Sequence, residues 1–434
     1  MLSPQLSTDD FIAGLRAAGV RRAAIVHDAQ CGIRVSHPAL EGLAAWAAAD
    51  RTDFDRHEAL FFEIGAESGH LLAAALHRTL RGQGAGGVRF WGYDTVEAFV
   101  RDGLRLSRGM GQKNALAGLW WGGGKGLIAR RAEVDHRDPE VRRAIYRDYG
   151  RFISGLRGCY VTAEDVGTRP ADMVEIHATT RFTTCVPEAM GGSGNPSRLT
   201  AEGVVVAMEA AFEHLGQGSL AGAHVAMQGL GNVAGFMVTS LLERDVARID
   251  AVDIDEALVA QVRTDVADER LRARTVDASD QTILGTHCDV LAPNAVGGIL
   301  NPETIARLNA PLVCGAANNQ LADPDRDADL LRERGVLFVP DFLANRMGIV
   351  NCANEQYGWF DDDPAITAHL DRGAPEGVFQ RTLEVLAAAR DAGTTPWDEA
   401  VALADRLGEI PHPVWGDRTH RIIRHLFEGD WAAG

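Results

Sequence analysis

Short apolar runs alternate with segments of helical periodicity along most of the chain. Apolar runs bounded by turn residues predict strands, and apolar positions three or four residues apart predict helices. The predicted strands lie within 57–91, for example at 69–75, and at 159–162, 224–228, 290–291, 312–314 and 337–339, with one more ending at Asp253. The predicted helices lie at 95–109, 138–155, 201–214, 378–390 and 398–406. The regular alternation after residue 200 predicts a parallel α/β sheet there.

Length and composition narrow the class of protein. A chain of 434 residues is too long for one ordinary core and predicts two domains. The net charge of -17 disfavours nucleic-acid binding, because an acidic surface repels phosphate. We find no apolar run of about 18 residues and no signal-peptide pattern, so neither a membrane span nor secretion is expected. The six cysteines lack CxxC or zinc-site spacing, which predicts buried, reduced thiols in a cytoplasmic protein.

A strand–turn–helix segment near the middle of the chain has the pattern of a dinucleotide-binding turn. A predicted strand leads into Gly229-x-Gly231-x-x-Ala234, a helix follows, and Asp253 ends the next apolar strand. Gly229 would permit a tight turn, and Gly231 would let the backbone approach a pyrophosphate at the helix N-terminus. The Asp253 carboxylate would bind the adenosine ribose and repel a 2′-phosphate, which favours NAD over NADP. The alternatives are glycines that serve packing alone, and Asp255 as the ribose ligand.

A glycine-rich segment after the predicted helix at 95–109 contains two lysines, Lys113 and Lys125. Gly126 follows Lys125 where a phosphate-binding P-loop needs serine or threonine, so that motif is disfavoured. Desolvation and a second nearby cation both lower the pKa of a lysine, which would make a general base near neutral pH. The Asp165 carboxylate lies in a glycine-containing loop after a predicted strand. The structural alternatives are solvated turn lysines and a capping aspartate.

Several segments, taken in order along the chain, are similar to one enzyme family. The matching segments are 113–119, 122–125, 160–168, 192–196, 228–234, 291–294 and 315–320. Together they resemble the glutamate/leucine/phenylalanine/valine dehydrogenase family, with its leucine dehydrogenase branch the most similar. The resemblance covers about residues 57–360, and residues 1–55 look like an extension outside it.

This resemblance implies roles for particular residues. Lys125 would be the catalytic lysine, Asp165 its acidic partner, and Lys113 the residue that pairs with the substrate α-carboxylate. The backbone of Gly86 and Gly87 would line the substrate site. The implied side-chain pocket consists of Ala85, Ala163, Ile349 and Cys352. The implied cofactor-binding residues are Gly229, Gly231, Asn232, Val233, Asp253, Thr200 and Asn318. No metal site is implied.

The same resemblance implies a fold and an activity. The expected fold is α/β with two domains and a cleft between them. Residues 1–199 and 346–434 would form the α/β catalytic domain, and residues 200–345 a Rossmann-type, doubly wound parallel-sheet domain that binds NAD. The expected activity is reversible oxidative deamination of an apolar L-amino acid, with leucine, valine or isoleucine favoured. The expected partners are this small substrate and further copies of the chain in a homo-oligomer.

Some residues depart from the pattern of the branch and bear on the substrate. Arg346 and Met347 stand where alanine and glycine are usual, and Ala85 stands where leucine is usual. The small Ala85 would enlarge the pocket for an aromatic side chain. Arg346 would pair with an acidic substrate if it turned into the cleft, but we expect it to face solvent, as arginines at a cleft rim commonly do. The further departures are Gly111, Gln112, Trp120 and Trp121.

Other functions stay open at this point. The nearest is the same chemistry on phenylalanine, tryptophan or glutamate. A relative without activity would bind NAD or an amino acid as a sensor or partner subunit, although Lys113, Lys125 and Asp165 are all present. A hydroxy-acid dehydrogenase on a similar sheet would need a histidine–carboxylate pair. His287 is the nearest candidate for that pair, but it precedes a strand and has no adjacent arginine motif.

Overall fold

The chain folds into two compact units. The computed structural model describes residues 1–28 and 31–433. The first unit consists of Met1–Asn195, Cys352–Phe360 and Asp405–Gly434, and the second of Pro196–Asn351 and Asp361–Ala404. The predicted α/β fold with two domains is confirmed. The unit boundaries differ from the predicted domain boundaries at residues 196–199, 346–351 and 361–404.

Within the described residues, the first unit contains a seven-stranded mixed sheet. Its strands are β1 Arg22–Asp28, β2 Gly32–Val35, β3 Ala59–Ile64, β4 Leu71–His77, β5 Gly84–Trp91, β6 Gly122–Ala129 and β7 Tyr160–Glu164. The helices along this part of the chain are α1 Thr8–Ala17, α2 Glu41–Ala49, α3 Val96–Leu116, α4 Pro139–Gly155 and α5 Pro170–His177. The strand order is β2-β1-β3-β4-β6-β5-β7, with β5 parallel to both β6 and β7.

Side chains alternate in direction along the strands, and both faces of this sheet are buried. Leu72 and Leu76 pack in one core with helix α4, whereas Ala73 and Ala75 pack in a second core with α1 and α3. Successive side chains of a strand point to opposite faces, so one strand contributes to both cores. The continuous apolar runs of these strands therefore reflect a sheet that is covered by helices on each side.

Residues 1–55, which looked like an extension, add two strands to this sheet. β1 pairs antiparallel with β3, with Ala24 opposite Phe61, and β2 pairs with β1 at the sheet edge. Helix α1 begins after Ser7, whose hydroxyl accepts a hydrogen bond from the Asp10 amide at 3.1 Å. Such a cap stabilises a helix start by about 1 kcal/mol. The apolar face of α1 packs on the sheet, so the segment belongs to the core of the first unit.

Within the described residues, the second unit contains a six-stranded sheet whose strands all run parallel. Its strands are β8 His224–Gln228, β9 Arg248–Asp253, β10 Leu271–Thr275, β11 Val290–Pro293, β12 Leu312–Val313 and β13 Leu337–Phe338. The helices along it are α6 Ser197–His214, α7 Asn232–Glu243, α8 Glu256–Val266, α9 Pro302–Ile305, α10 Pro324–Glu333 and α11 Asp341–Ala344. The order β10-β9-β8-β11-β12-β13 reverses direction at β8. This is the predicted doubly wound arrangement, whose switch point lies beside β8.

The last helices are shared between the units. They are α12 Met347–Glu355, α13 Pro364–Thr367, α14 Val378–Ala392, α15 Pro396–Gly408 and α16 Arg418–Glu428. Helix α14 packs on α6, which explains why residues 361–404 belong to the second unit. Helix α16 buries Ile423 and Leu426 in the core of the first unit. No helix among the described residues is both long and apolar enough to cross a membrane.

Helix α3 is longer than predicted. It continues past the predicted end to Leu116, and Lys125 lies on strand β6 rather than in a glycine-rich loop. The alternative of a solvated turn lysine does not hold for Lys125, which is buried. A Cβ at Gly123 would lie 2.2 Å from the Ser107 carbonyl oxygen, and one at Gly111 3.4 Å from the Gly123 backbone. Close packing of α3 on the backbone of β6 therefore explains the glycine at position 123, whereas a Cβ at Gly111 would make an ordinary contact.

The cysteines are free thiols throughout the described chain. Five of them are buried, as predicted, and Cys31 is exposed, so the expectation of six buried thiols is wrong for that residue. Its position at the turn between β1 and β2 places it on the surface, and the spacing of cysteines along a sequence carries no information on this exposure.

Candidate active site

Lys125 and Asp165 come together in the first unit. Lys125 is the fourth residue of β6, and Asp165 directly follows β7. The Nζ atom of Lys125 donates a hydrogen bond to Oδ2 of Asp165 at 2.6 Å. The lysine side chain is 5% exposed and the aspartate side chain 18%. The two residues that the resemblance paired are thus in direct contact.

Burial and neighbouring charges change the pKa of both groups. Burial lowers the pKa of Lys125, the Asp165 carboxylate opposes this shift, and the Arg89 guanidinium adds to it. Burial alone would raise the pKa of Asp165, but the cations of Lys125 and Arg89 outweigh it and lower that pKa. The site therefore combines a carboxylate that stays ionised with an amine that releases its proton more readily than an ordinary lysine. Such a pair is suited to proton transfer.

Gly86 and Gly87 on β5 pack too closely to carry side chains. A Cβ at Gly87 would lie 2.7 Å from the Cβ of Asp165, and a Cβ at Gly86 would lie 1.9 Å from the Gly124 carbonyl oxygen. Any larger residue at Gly87 would displace Asp165 from its contact with the lysine. The glycine pair is therefore part of the geometry of the site.

Sequence reasoning missed a second set of charges next to Asp165. The Nε atom of Arg89 donates to Oδ2 of Asp165 at 3.3 Å, and its Nη1 donates to both carboxylate oxygens of Asp102 at 3.0 and 3.1 Å. The Tyr93 hydroxyl also donates to Asp102, at 2.8 Å. One signal was present in the sequence, because Arg89 follows Gly87 by two residues on β5 and must share its face.

Lys113 lies in the last turn of α3 and is half-buried. The adjacent Asn114 is fully buried, and its Nδ2 donates to the Gly122 carbonyl at 2.7 Å. This bond ties the end of α3 to the start of β6 and fixes the backbone that carries Lys113. Asn114 is a further residue whose contribution to the site was not predicted.

The second unit contains the predicted strand–turn–helix. Helix α7 begins with Asn232 and Val233 directly after Gly231, and no side chain caps its first turn among the described residues. Gly229 has a φ of 96°, a conformation that favours glycine, and its Cβ would lie 2.8 Å from Ala295. A Cβ at Gly231 would meet no described heavy atom within 4 Å. An open helix N-terminus behind a glycine turn fits a pyrophosphate.

Asp253 is held at the end of β9 by the same turn. Its Oδ2 accepts a hydrogen bond from the Leu230 amide at 2.7 Å, and its Oδ1 accepts one from the Asp255 amide at 3.0 Å. Asp255 caps helix α8 instead, with its side chain accepting from the Leu258 amide at 3.1 Å. These contacts favour Asp253 over Asp255 as the ribose ligand.

Two family models match most of this architecture. The model for Glutamate/Leucine/Phenylalanine/Valine dehydrogenase matches residues 191–362, and the model for the dimerisation domain of Glu/Leu/Phe/Val dehydrogenases matches residues 69–182. The leucine dehydrogenase of Geobacillus stearothermophilus is 43% identical over 307 residues, which span 70% of this chain and 80% of that protein. The chain belongs to the Glu/Leu/Phe/Val dehydrogenase family.

Other members of this family are similar over more of the chain. The valine dehydrogenase of Streptomyces virginiae is 38% identical over 362 residues, which span 82% of this chain and 94% of that protein. The crystal structure of L-tryptophan dehydrogenase from Nostoc punctiforme superimposes with a TM-score of 0.65 at 31% identity, covering 84% of this chain and 97% of that one. The predicted resemblance is confirmed. The chain is an amino acid dehydrogenase, a type of oxidoreductase that uses a nicotinamide nucleotide.

In this dehydrogenase the four predicted pocket residues are buried but belong to different units. Ala85 on β5 and Ala163 on β7 share, by strand register and alternation, the sheet face of the candidate lysine. Cys352 also belongs to the first unit, where its Sγ lies 3.1 Å from that of Cys185. Ile349 belongs to the second unit. The assembly of these residues into one pocket stays a prediction.

Thr200 and Asn318, the residues predicted near the nicotinamide, both lie in the second unit. The Thr200 hydroxyl donates to the Pro196 carbonyl at 2.9 Å, and a Cβ at Gly348 would lie 2.8 Å from that hydroxyl. Oδ1 of Asn318 accepts from Nδ2 of Asn345 at 2.9 Å. Both side chains are thus fixed in place, and their role beside a nicotinamide stays a prediction.

Arg346 is buried, so the expectation that it faces solvent is wrong. Its side chain is 0% exposed, and Nη2 donates to the Glu376 carbonyl at 2.6 Å. Burial lowers the pKa of Arg346 from its ordinary value, and the neighbouring Arg381 adds to this shift. The reason is that residues 361–404 belong to the second unit, where the Glu376 carbonyl of that segment binds the guanidinium and Arg381 lies near it.

Other features of the described chain do not add to this site. A cavity of about 470 Å³ in the first unit, lined by Gln83, His177, Arg181 and Glu355 among others, contains none of the predicted site residues. His287, the residue of the hydroxy-acid alternative, is exposed ahead of β11. Among the described residues, no group of three or more His, Cys, Asp or Glu side chains is placed to hold a metal ion.

Proposed function

We propose that this chain catalyses the reversible, NAD-dependent oxidative deamination of a branched-chain L-amino acid: leucine, valine or isoleucine. The observation that carries the proposal is the buried contact of Lys125 with Asp165 at 2.6 Å in an amino acid dehydrogenase. Burying two opposite charges costs about as much free energy as their attraction returns, so such a pair is weak evidence for stability and good evidence for function.

The distribution of cations along the chain supports this assignment. Of the 43 lysine and arginine residues, two are lysines, and these are Lys113 and Lys125. Arginine keeps its charge at every accessible pH, whereas a buried lysine amine can lose its proton. A chain that otherwise uses arginine has lysine at the two positions where the proposed reaction needs a compact ammonium and a titratable amine.

In the proposed complex, Lys113 pairs with the substrate α-carboxylate and the backbone at Gly86 and Gly87 lines the site. The ionised Asp165 accepts a proton from the substrate ammonium, which frees the nitrogen lone pair. NAD, when bound, supplies the acceptor for the hydride from Cα. Lys125, as the neutral amine, accepts a proton from the water that adds to the resulting imine carbon. One amino acid, one NAD⁺ and one water give one 2-oxo acid, one ammonium ion, one NADH and one proton.

NAD, rather than NADP, is part of the proposal. The open N-terminus of α7 after Gly231 would receive the pyrophosphate, with Asn232 and Val233 in the turn that surrounds it. The anchored Asp253 carboxylate would bind the ribose hydroxyls and meet a 2′-phosphate with like charge.

An apolar substrate follows from the residues proposed to surround its side chain. Ala85, Ala163, Ile349 and Cys352 are buried and provide no cation for a side-chain carboxylate. An unpaired carboxylate in such a pocket is costly, so glutamate is rejected. The Arg346 guanidinium, which would otherwise be the candidate cation, is bonded to the Glu376 carbonyl.

An aromatic L-amino acid is the second candidate. The small Ala85 favours it, as does the similarity to an L-tryptophan dehydrogenase at 31% identity. The homo-oligomeric state and the cytoplasmic location expected from the sequence also stay predictions.

Initial rates of NADH formation across leucine, valine, isoleucine, phenylalanine, tryptophan and glutamate test the proposal, with Lys125→Ala as the inactive control. We expect a branched-chain amino acid to give the highest kcat/KM and glutamate to be lower by about tenfold or more. A preference for phenylalanine or tryptophan would favour the second candidate. A preference for glutamate would refute the apolar pocket. The absence of NADH with every substrate would refute the catalytic proposal and leave a relative that only binds its ligands.

A further inference from the structure

Four charged side chains of the first unit form one continuous, largely buried network. It runs from Lys125 to Asp165, on to Arg89 and then to Asp102. We infer that Arg89, anchored by Asp102, is a positioning residue that holds the Asp165 carboxylate against Lys125 and balances the charge of that pair. This inference rests on the proposed function, since it assigns the network to the proton transfers of the reaction.

The geometry of the guanidinium supports this role. A guanidinium is planar, so its donors leave in fixed directions, and fixing one edge fixes the others. Nη1 of Arg89 binds both oxygens of Asp102 at 3.0 and 3.1 Å, which anchors the group, and Nε is then directed at Oδ2 of Asp165 at 3.3 Å. That same Oδ2 accepts the hydrogen bond from Lys125.

Asp102 is itself held in place. The Tyr93 hydroxyl donates to Oδ2 at 2.8 Å, and the Tyr93 ring packs edge-on against Phe99 at 5.2 Å. Side chains of Arg89 and Asp102 are 19% and 10% exposed. Arg105 also donates to Asp102, at 3.3 Å, but its side chain is 55% exposed. The anchor therefore comes from inside the unit, and Arg105 adds a contact from the surface.

Charges around the pair come from neighbouring segments. The charged groups that act on Asp165 or Lys125 include Arg89 from β5 and Asp102 from α3, and Asp165 in turn raises the pKa of Glu164 from β7. Arg89 lowers the pKa of both Lys125 and Asp165, whereas Asp102 raises that of Lys125. Removing the cation and removing the anion must therefore move proton release by Lys125 in opposite directions. A residue with only a structural role would not produce this sign reversal.

The test compares Arg89→Met, Arg89→Lys and Asp102→Asn with the control Arg105→Gln. Because the chain has two lysines, selective ¹³C labelling of lysine Cε gives two signals, and the Lys125 signal can be titrated directly. We expect Arg89→Met to move the Lys125 titration to higher pH by about one unit, and Asp102→Asn to move it to lower pH. The pH limb of kcat should follow in each case, with the KM for NAD unchanged.

The expected effect on turnover is also graded. Arg89→Met should lower kcat about 10²-fold, because the carboxylate loses its fixed position. Arg89→Lys should lower it less, about tenfold, because lysine keeps the charge but not the fork. Arg105→Gln should leave kcat, the pH limb of kcat and the Lys125 titration unchanged. Glu164→Gln removes a further titrating group next to the pair, since burial and Asp172 raise the pKa of Glu164 to about 7. This variant separates the titration of Glu164 from that of Lys125.

Two results would overturn the inference. One is an unchanged Lys125 titration in Arg89→Met or, if that variant does not fold, in Arg89→Gln, which also removes the charge. The other is a shift of the same sign in the Arg89 and Asp102 variants. Failure of the proposed function looks different: the wild type would form no NADH with any amino acid, while the Lys125 titration would still report on the network.

Discussion

Replacement of Asp253 by asparagine is expected to remove most of the preference for NAD over NADP. In the wild type the carboxylate would lie close to the position of a 2′-phosphate. Two unit charges about 4 Å apart near a protein surface repel by about 4 kcal/mol, and screening at a half-exposed site reduces this to about 2 kcal/mol. Since 1.4 kcal/mol corresponds to about tenfold, we expect kcat/KM to favour NAD by about 30-fold.

Asp253→Asn removes the charge and keeps the shape. The asparagine oxygen can still accept from the Leu230 amide, which binds the native side chain at 2.7 Å, so the glycine turn should persist. We expect the NAD preference to fall to within about threefold, with part of the loss on the NAD side, because hydrogen bonds to a charged acceptor are worth about 1.5–3 kcal/mol. Asp255→Asn is the matched control, since asparagine caps α8 as well as aspartate does.

The assay is kcat/KM for NAD and for NADP at fixed amino acid and fixed ionic strength, in the wild type and both variants. The reasoning is refuted if the wild type uses NADP equally well, or if Asp255→Asn changes the ratio more than Asp253→Asn does. Higher salt should weaken the wild-type preference and leave the Asp253→Asn ratio nearly unchanged, because salt screens only the charge repulsion.

Three further substitutions test other parts of the structure. Lys125→Ala should lower kcat about 10²–10⁴-fold with NAD affinity retained, and near-normal kcat would remove Lys125 from the mechanism. Gly87→Ala places a Cβ 2.7 Å from that of Asp165 and should lower kcat about 10²-fold, whereas Gly92→Ala, in open space, should not; equal kcat in both variants would contradict the close packing. Arg346→Met should change the Tm by only a few degrees, because an apolar side chain avoids the cost of burying the cation, and a Tm loss above about 10 °C would show that its hydrogen bonds outweigh that cost.

Local sequence patterns were enough to predict the strand–turn–helix of the second unit. The turn between β8 and α7 depends on residues within one stretch of chain, Gly229 to Asp253, and each has a local reason to be there. A positive φ, an open helix start and an acid at a strand end can all be inferred from neighbours in sequence. The same reasoning placed the end of α3 too early. Glycines that let a helix pack closely on a strand cannot be told from loop glycines by composition alone.

Long-range contacts were beyond the reach of such patterns. Arg89 binds Asp165 across 76 positions of sequence. Strand alternation places Arg89 on the face of Gly87, but no local pattern indicates that its partner there is Asp165. Helix α14 is amphipathic, so its sequence predicts that one face is buried. The same periodicity does not indicate which apolar surface that face meets, and its packing on α6 could not be predicted from it. The burial of Arg346 follows from that packing, which is why an arginine expected at a surface is enclosed.

Arg89, Arg346 and Lys125 show what burial does to different cations. An arginine that is buried stays charged and must be satisfied by fixed acceptors, such as the Asp102 carboxylate or the Glu376 carbonyl. Burial therefore turns arginine into a rigid support. The same burial makes lysine a group that can exchange a proton, because its ordinary pKa lies closer to neutrality. Every other cationic side chain of the Lys/Arg type in this chain is arginine, so the position of each lysine is informative. Lys125 contacts an ionised carboxylate that a buried arginine already holds, and a second arginine there could not exchange a proton.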